Sequence, residues 1–411
     1  MVTITVLSAV AIVFALTSRR LERWSIGGPV LFLVGGVLLG PGFTDVLHPP
    51  LGGDTVQTVS EVTLAILLFT DASTLGVRVL RRSGSIPVRL LSVGLPLAIL
   101  AGGLLGYWLL AGVTWGLAFL VSAILAPTDA ALSLGVMNSP LVPERIRTSL
   151  NVESGLNDGI ATPFVTVFVA IVAAEEAPGH HWVLHSFGEI LVAIAVAVVV
   201  GGLGGRLGVL AQRRSWTAGM STSLLVLGLA LFSYTASDSV GGNGFVASFL
   251  AGLVFAVVSH DELQSATEFS ETLGVFMSYV VWALFGSLLL GPMLTRAWDP
   301  RALGFAVLVL TVGRMLPVAI ALRGGGLPRR HVGLIGWFGP RGLASIVFLM
   351  HSMHGLHLDS SYLNDQAVEA VVWTIGLSVL AHGLTSGPLV PRLGRRVAAA
   401  RGKAPLFPAG T

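Results

Sequence analysis

Cysteine is missing from all 411 residues, which excludes disulfides, thiolate metal sites and cysteine nucleophiles. Charge is scarce as well: charged residues make up 11% of the chain against 54% hydrophobic. Mean hydropathy is +0.84. No ordinary soluble domain has that balance, and the apolar runs are long enough to cross a bilayer. Lysine is confined to Lys403, so the basic charge is almost entirely arginine. Glycine (51) and proline (20) are abundant instead. Both are tolerated in membrane helices that pack closely or break for function. No composition shift marks a separate soluble domain. The sequence reads as an all-α polytopic membrane protein.

Apolar segments fall near residues 2–17, 29–43, 56–76, 88–110, 115–137, 150–174, 186–210, 219–234, 244–259, 274–295, 302–322, 331–353 and 368–387. About thirteen spans are therefore expected. The first lacks a basic start and a small-residue cleavage site, so it reads as a span and not a signal peptide. The following "SRRLER" argues that the N-terminus lies outside. Alternate loops then collect arginine on the inner side: Arg78, Arg81, Arg82, Arg89, Arg145, Arg147, Arg213, Arg214, Arg323, Arg329 and Arg330. The predicted outer loops hold only Arg296 and Arg301. The sorting predicts a multi-pass protein of the cell (inner, plasma) membrane with a cytoplasmic C-terminus. It turns the pI of about 9.8 into a sidedness signal, with membrane lipids as partners and no nucleic acid. Residues 1–388 read as one membrane domain and 389–411 as a flexible basic cytoplasmic tail.

Against this background a few charges stand inside the spans. Asp129, Asp158, Arg341 and Arg314 fall near the middle of theirs, Asp71 toward the inner end of the third, and Glu153 a little over one turn before Asp158. Each such charge costs about 2.5–3.5 kcal/mol even on lenient insertion scales. Six at similar depth point to a polar cavity for an ion.

Two of them sit in helix-breaking contexts. "APTDA" places Pro127 just before Asp129, and "GPRG" places Pro340 between Gly339 and Arg341. Proline removes a backbone donor and glycine relaxes the turn. Unwound backbone at membrane depth survives only where it lines a cavity or is covered by protein. The fifth and twelfth spans run in opposite directions, so the breaks predict inverted repeats with two broken helices crossing at the midplane. Asp129 suits the positive end of a half-helix and Arg341 a negative end.

"NVESGLNDG", residues 151–159, puts Ser154 and Asp158 on one helix face and Glu153 and Asn157 on the neighbouring one. Hard oxygen ligands on one face suit a monovalent cation or a proton. Glu153 needs a cationic partner, and Arg341 is the best-placed candidate. Arg314 is expected to pair with an acid such as Glu61 or Asp71.

"PTDAAL", "NVESGLNDG" and "GPRG" together resemble the motifs of monovalent cation/proton antiporters of the NhaP type, relatives of the sodium/proton exchangers. The resemblance covers nearly the whole chain. It implies the NhaA-like antiporter fold and a cation site made by Asp129, Asp158, the Ser154 hydroxyl and the Thr128 carbonyl. Asp71 would stand where the family often has a longer Glu. It further implies an ion pair between Glu153 and Arg341, with Asn157 holding the arrangement together. Na+, K+ or Li+ and H+ would be substrates, with no cofactor and no catalytic residue. A homodimer would be formed through about 1–80 and 186–296, and a core bundle of about 88–175 and 302–388 would move. Electrogenic relatives have a second Asp where this chain has Asn157, and a membrane-embedded Lys. The pattern thus resembles the electroneutral branch.

Two other classes compete. An intramembrane aspartyl protease could use paired Asp residues, but "GLND" lacks the second Gly of that motif and no Pro-Ala-Leu occurs. A cation-coupled organic-solute symporter would need a second roomy polar pocket. His180, His181, His185, His351, His354 and His357 read as solvated residues of outer loops, and "SHDELQSATEFSETL" as an inner loop that can form a surface helix.

Overall fold

The computed structural model describes residues 2–23, 26–47, 54–75, 84–137, 139–176, 182–260, 262–356 and 366–400. Regular structure among the described residues is helical throughout. In chain order the helices are α1 (Val2–Arg23), α2 (Gly28–Leu39) and α3 (Asp54–Leu75), then α4 (Ser85–Leu109), with a π-helical turn at Leu90–Gly94. There follow α5 (Trp115–Ile124), α6 (Glu144–Glu176), α7 (Trp182–Arg213), α8 (Gly219–Ser239) and α9 (Gly244–Ser259). The rest are α10 (Gln264–Leu294) and α11 (Pro300–Ala321), α12 (Arg329–Trp337), α13 (Leu343–Gly355) and α14 (Gln366–Ala400). Seven of the described helices are long and apolar enough to cross a membrane by length and composition.

Local chemistry sets the ends. Thr114 caps α5 by accepting from Leu117 N at 3.2 Å, and Glu175 accepts from Gly116 N at 3.0 Å. Asn243 caps α9 through Val246 N, and Asp299 caps α11 with Pro300 at its first position. These acceptors satisfy orphan helical N–H groups that an apolar surrounding would leave unpaired.

Packing sorts the helices into two bodies. In one, α2, α3, α9 and α10 pack tightly, with α7 and α8 against α9. Gly36 and Gly252 make this closeness feasible, because any side chain there would overlap the backbones of Ala283 and Phe69. In the other, α4 packs on α5 and α11, α5 on α6, α11 on α12 and α14. The bodies meet along a seam where α3, α9 and α10 face α6 and α13.

The expected spans near 115–137 and 331–353 are each split. Helix α5 stops at Ile124, and a 3-10 turn (Ala130–Ser133) and a helical turn (Leu134–Met137) follow residues 127–129, which have no regular structure. The second split separates α12 from α13 at residues 338–342. The loop read into residues 259–273 is largely the start of α10. Helix α14 continues to Ala400, so the tail expected to be flexible from residue 389 begins as helix. Arg78, Arg81, Arg82, His180, His181, His357 and residues 401–411 lie outside the described residues.

Candidate ion-binding site

The two breaks hydrogen-bond to each other: Asp129 N donates to Pro340 O at 2.8 Å. Each charge then caps a broken end. The Arg341 guanidinium donates to Ala126 O at 2.8 Å, beyond the carbonyl end of α5. The Asp129 carboxylate accepts from Leu343 N at 3.4 Å, the first residue of α13, and from Ala131 N at 2.7 Å. A carboxylate at a helix start and a cation at a helix end both oppose the local peptide dipoles favourably. Arg341 N is held in turn by Ser378 Oγ at 2.7 Å.

Helix α6 runs beside the crossing. Asn157 Nδ2 donates to Thr128 Oγ1 at 2.6 Å, and Thr128 Oγ1 lies 3.3 Å from Ser154 Oγ. Asp158, one turn past Ser154, has a buried Oδ1 without a hydrogen-bond partner in the protein. A buried carboxylate oxygen left unpaired is costly, so this position asks for a cation, a proton or water.

These groups line a cavity of about 270 Å³ that lies in the seam. One wall, from α6 and the breaks, presents Thr128, Asp129, Asn151, Ser154, Gly155, Asp158 and Leu343. The other presents Asp71 and Thr74 of α3 with Glu271, Ser278 and Trp282 of α10. Asp71 therefore does face Asp129 and Asp158 across the cavity. Asn151 and Glu271 are exposed, so the cavity opens at the end where α3 finishes and α6 and α10 begin. The α10 wall escaped the sequence reading. Its signal is the helical spacing of Glu271, Val275, Ser278 and Trp282, hidden because the first residues looked like a loop.

One expected pair is wrong. Glu153 does not pair with Arg341; its Oε1 lies 2.6 Å from Arg314 NH2, with both side chains 3% exposed. The reason is that the Arg341 guanidinium is committed to Ala126 O. Arg314 stands just after Thr311, which leaves helical geometry (φ −99°, ψ −84°) and interrupts α11. Held by Glu153, Arg314 does not take Glu61 or Asp71. Glu61 instead accepts from His351 Nδ1 at 2.8 Å, and His351 lies on α13, not in a loop. His185 likewise lies within α7, 3.5 Å from Glu189.

Apolar helices crossing at paired breaks, with carboxylates at the crossing, define a multi-pass membrane protein built around an ionisable site. Residues 6–392 match the sodium/hydrogen exchanger, transmembrane, family, and the chain belongs to that family. It is 25% identical over 381 residues to the K(+)/H(+) antiporter NhaP of Alkalimonas amylolytica, covering 89% of this chain and 63% of that protein. The chain thus spans about three fifths of that relative's length. It is 27% identical over 350 residues to the Na(+)/H(+) antiporter NhaP of Pseudomonas aeruginosa, covering 80% of each. The fold is similar to that of the sodium proton antiporter MjNhaP1 from Methanocaldococcus jannaschii (TM-score 0.76, 19% identity, 95% of this chain and 98% of that one).

Proposed function

We propose that this chain is a secondary transporter that exchanges a monovalent cation for a proton, with Asp158 as the group that binds one or the other. The observation that carries the reading is Asp158, which has one buried oxygen without a partner in the protein and lines a seam cavity together with Thr128, Ser154, Asp129 and Asp71. The named relatives divide between potassium and sodium, and a site of carboxylate, hydroxyl and carbonyl oxygens fits either alkali ion.

In this reading Asp129 and Arg341 hold the crossing together, Asn157 orients Thr128, and Glu153 with Arg314 forms a structural pair outside the ion path. The cavity lies between two bodies, so rocking one against the other would expose the site to alternate sides. The body carrying the breaks would move against the one carrying α3 and α10, the latter also forming a homodimer. Arg145 and Arg147 near the start of α6 and Arg213 and Arg214 at the end of α7 lie toward the cavity-mouth end, which supports a cytoplasmic mouth and an outside N-terminus in the cell membrane. With Asn157 neutral and no lysine in the spans, one cation would exchange for one proton.

The test is exchange in proteoliposomes, read as proton flux against lithium, sodium, potassium or rubidium gradients. Asp158→Asn should abolish flux while the variant elutes and melts as a folded protein. Substantial exchange by the folded variant would remove Asp158 from its role.

A further inference from the structure

The seam has two ends, and among the described residues the cavity opens at one of them. At the end opposite the cavity mouth, three helices converge on Glu61. Its Oε1 accepts from His351 Nδ1 of α13 at 2.8 Å and from Gln57 Nε2 at 2.8 Å, and its Oε2 from Tyr234 Oη of α8 at 2.9 Å. The contact therefore ties the body that carries the breaks to the body that carries α3 and α8. Beside it Ser60 Oγ lies 3.6 Å from Met350 Sδ, again across the seam.

Beneath this polar clasp the seam is lined by apolar side chains. Phe245 of α9 meets the His351 ring edge-on at 5.3 Å and the Phe348 ring at 6.0 Å. Leu64 and Leu68 are each 1% exposed and share a face of α3 with Glu61 and Asp71. Glu61 and Asp71 are ten residues apart, or about 15 Å along the helix. An ion leaving Asp158 toward this end would meet a buried apolar layer and then the clasp.

We propose that Glu61, His351 and Tyr234 form a titratable gate, closed in this structure, that must part before the ion site can face the side opposite the cavity mouth. Neutral His351 can donate one hydrogen bond to Glu61, whereas protonated His351 adds a charge to that bond and strengthens it. Acid on that side therefore holds the gate shut. The other ionisable groups around His351 are Glu189 and His185 of α7, Asp238 of α8 and His354 on α13 itself. None of these is bonded to Glu61 among the described residues, so His351 is its only titrating donor besides the Tyr234 hydroxyl. The proposal rests on the exchange reading for its transport consequence, but the gate itself can be read without transport.

The absence of cysteine makes both tests clean. In a Leu64→Cys protein, a membrane-impermeant thiol reagent is added from the side opposite the mouth at pH 8 and pH 6, with and without His351→Gln. The ratio of the two labelling rates cancels the thiol's own pH dependence. The rate with His351→Gln divided by the rate without it should rise at least threefold on acidification, because glutamine can still donate to Glu61 but cannot charge. A ratio that does not move with pH overturns the titratable gate, whether or not the protein exchanges ions. In a Ser60→Cys, Met350→Cys protein, a short thiol cross-link confirmed by mass spectrometry should lower exchange at least tenfold, with recovery on reduction. Full exchange by the cross-linked protein would show that this end need not open. Loss of exchange in the uncross-linked parent would instead count against the antiport reading, leaving the labelling result to decide the gate.

Discussion

Glu153 and Arg314 are buried, 2.6 Å apart and joined through single atoms, with Glu153 Oε2 and Arg314 Nε left without partners in the protein. Removing one member of such a pair strands the other charge, which typically costs about 3–5 kcal/mol. Arg314→Gln should therefore lower the melting temperature more than Asp158→Asn does, and Glu153→Gln added to Arg314→Gln should recover part of the loss. An Arg314→Gln protein that melts like the parent would contradict the structural role. The acids of this region were legible in the sequence because charge in an apolar run is expensive. Their partners were not. Depth along a span is a one-dimensional quantity, and it favoured Arg341 for Glu153 while setting Arg314 against Glu61 or Asp71. The choice turned on which guanidinium the α5 carbonyl end had already engaged, and that is a matter of how helices rotate and cross.

The broken helices depend on close backbone approach. Gly342 precedes α13 where the Asp129 side chain comes across from the other break, and a Cβ there would overlap Asp129. Overpacking of this kind typically costs about 1–3 kcal/mol, and here the strain would fall on the crossing. Gly342→Ala should reduce exchange severalfold and lower stability, whereas Gly355→Ala, which meets nothing within 4 Å at the other end of α13, should leave both unchanged. Proteoliposome flux and thermal melts on the two variants decide this. An active, stable Gly342→Ala protein would show that the crossing has slack. At this scale proline and glycine made both breaks readable, and apolar run length placed helices such as α3, α9 and α11 to within a few residues, while the start of α10 and the end of α14 differ from the expected spans by ten residues or more. The π-helical turns at Leu90–Gly94 and Gly286–Leu290 left no such mark. They change the hydrogen-bond register without changing the apolar pattern. The start of α10 was read as an inner loop or surface helix for the opposite reason: its polar face lines a cavity, so its composition looks solvent-exposed and its continuity with the span does not show.

Across the whole molecule, the proposed exchange would have one cavity in the seam between two bodies serve cation and proton alike, and competition would then fix the pH response. At low pH protons occupy Asp158 and exclude the cation; at high pH the cation wins but protons to exchange are scarce, so the rate should be bell-shaped in pH. The apparent Michaelis constant for the cation should rise as pH falls, by about tenfold per unit well below the governing pKa, as one-proton linkage requires. A constant that stays flat over two units on the acid limb would rule out a shared site. The charge balance gives a separate test. Asp129 is engaged by two backbone N–H groups, Asn157 is neutral, and lysine is absent from the spans, so in the proposed exchange Asp158 would carry one charge in each direction. A membrane potential imposed on proteoliposomes without any ion gradient should consequently drive no cation uptake. Sustained uptake under those conditions would mean that a second proton is carried, and Asp71, which faces Asp158 across the cavity, would be the residue to neutralise next.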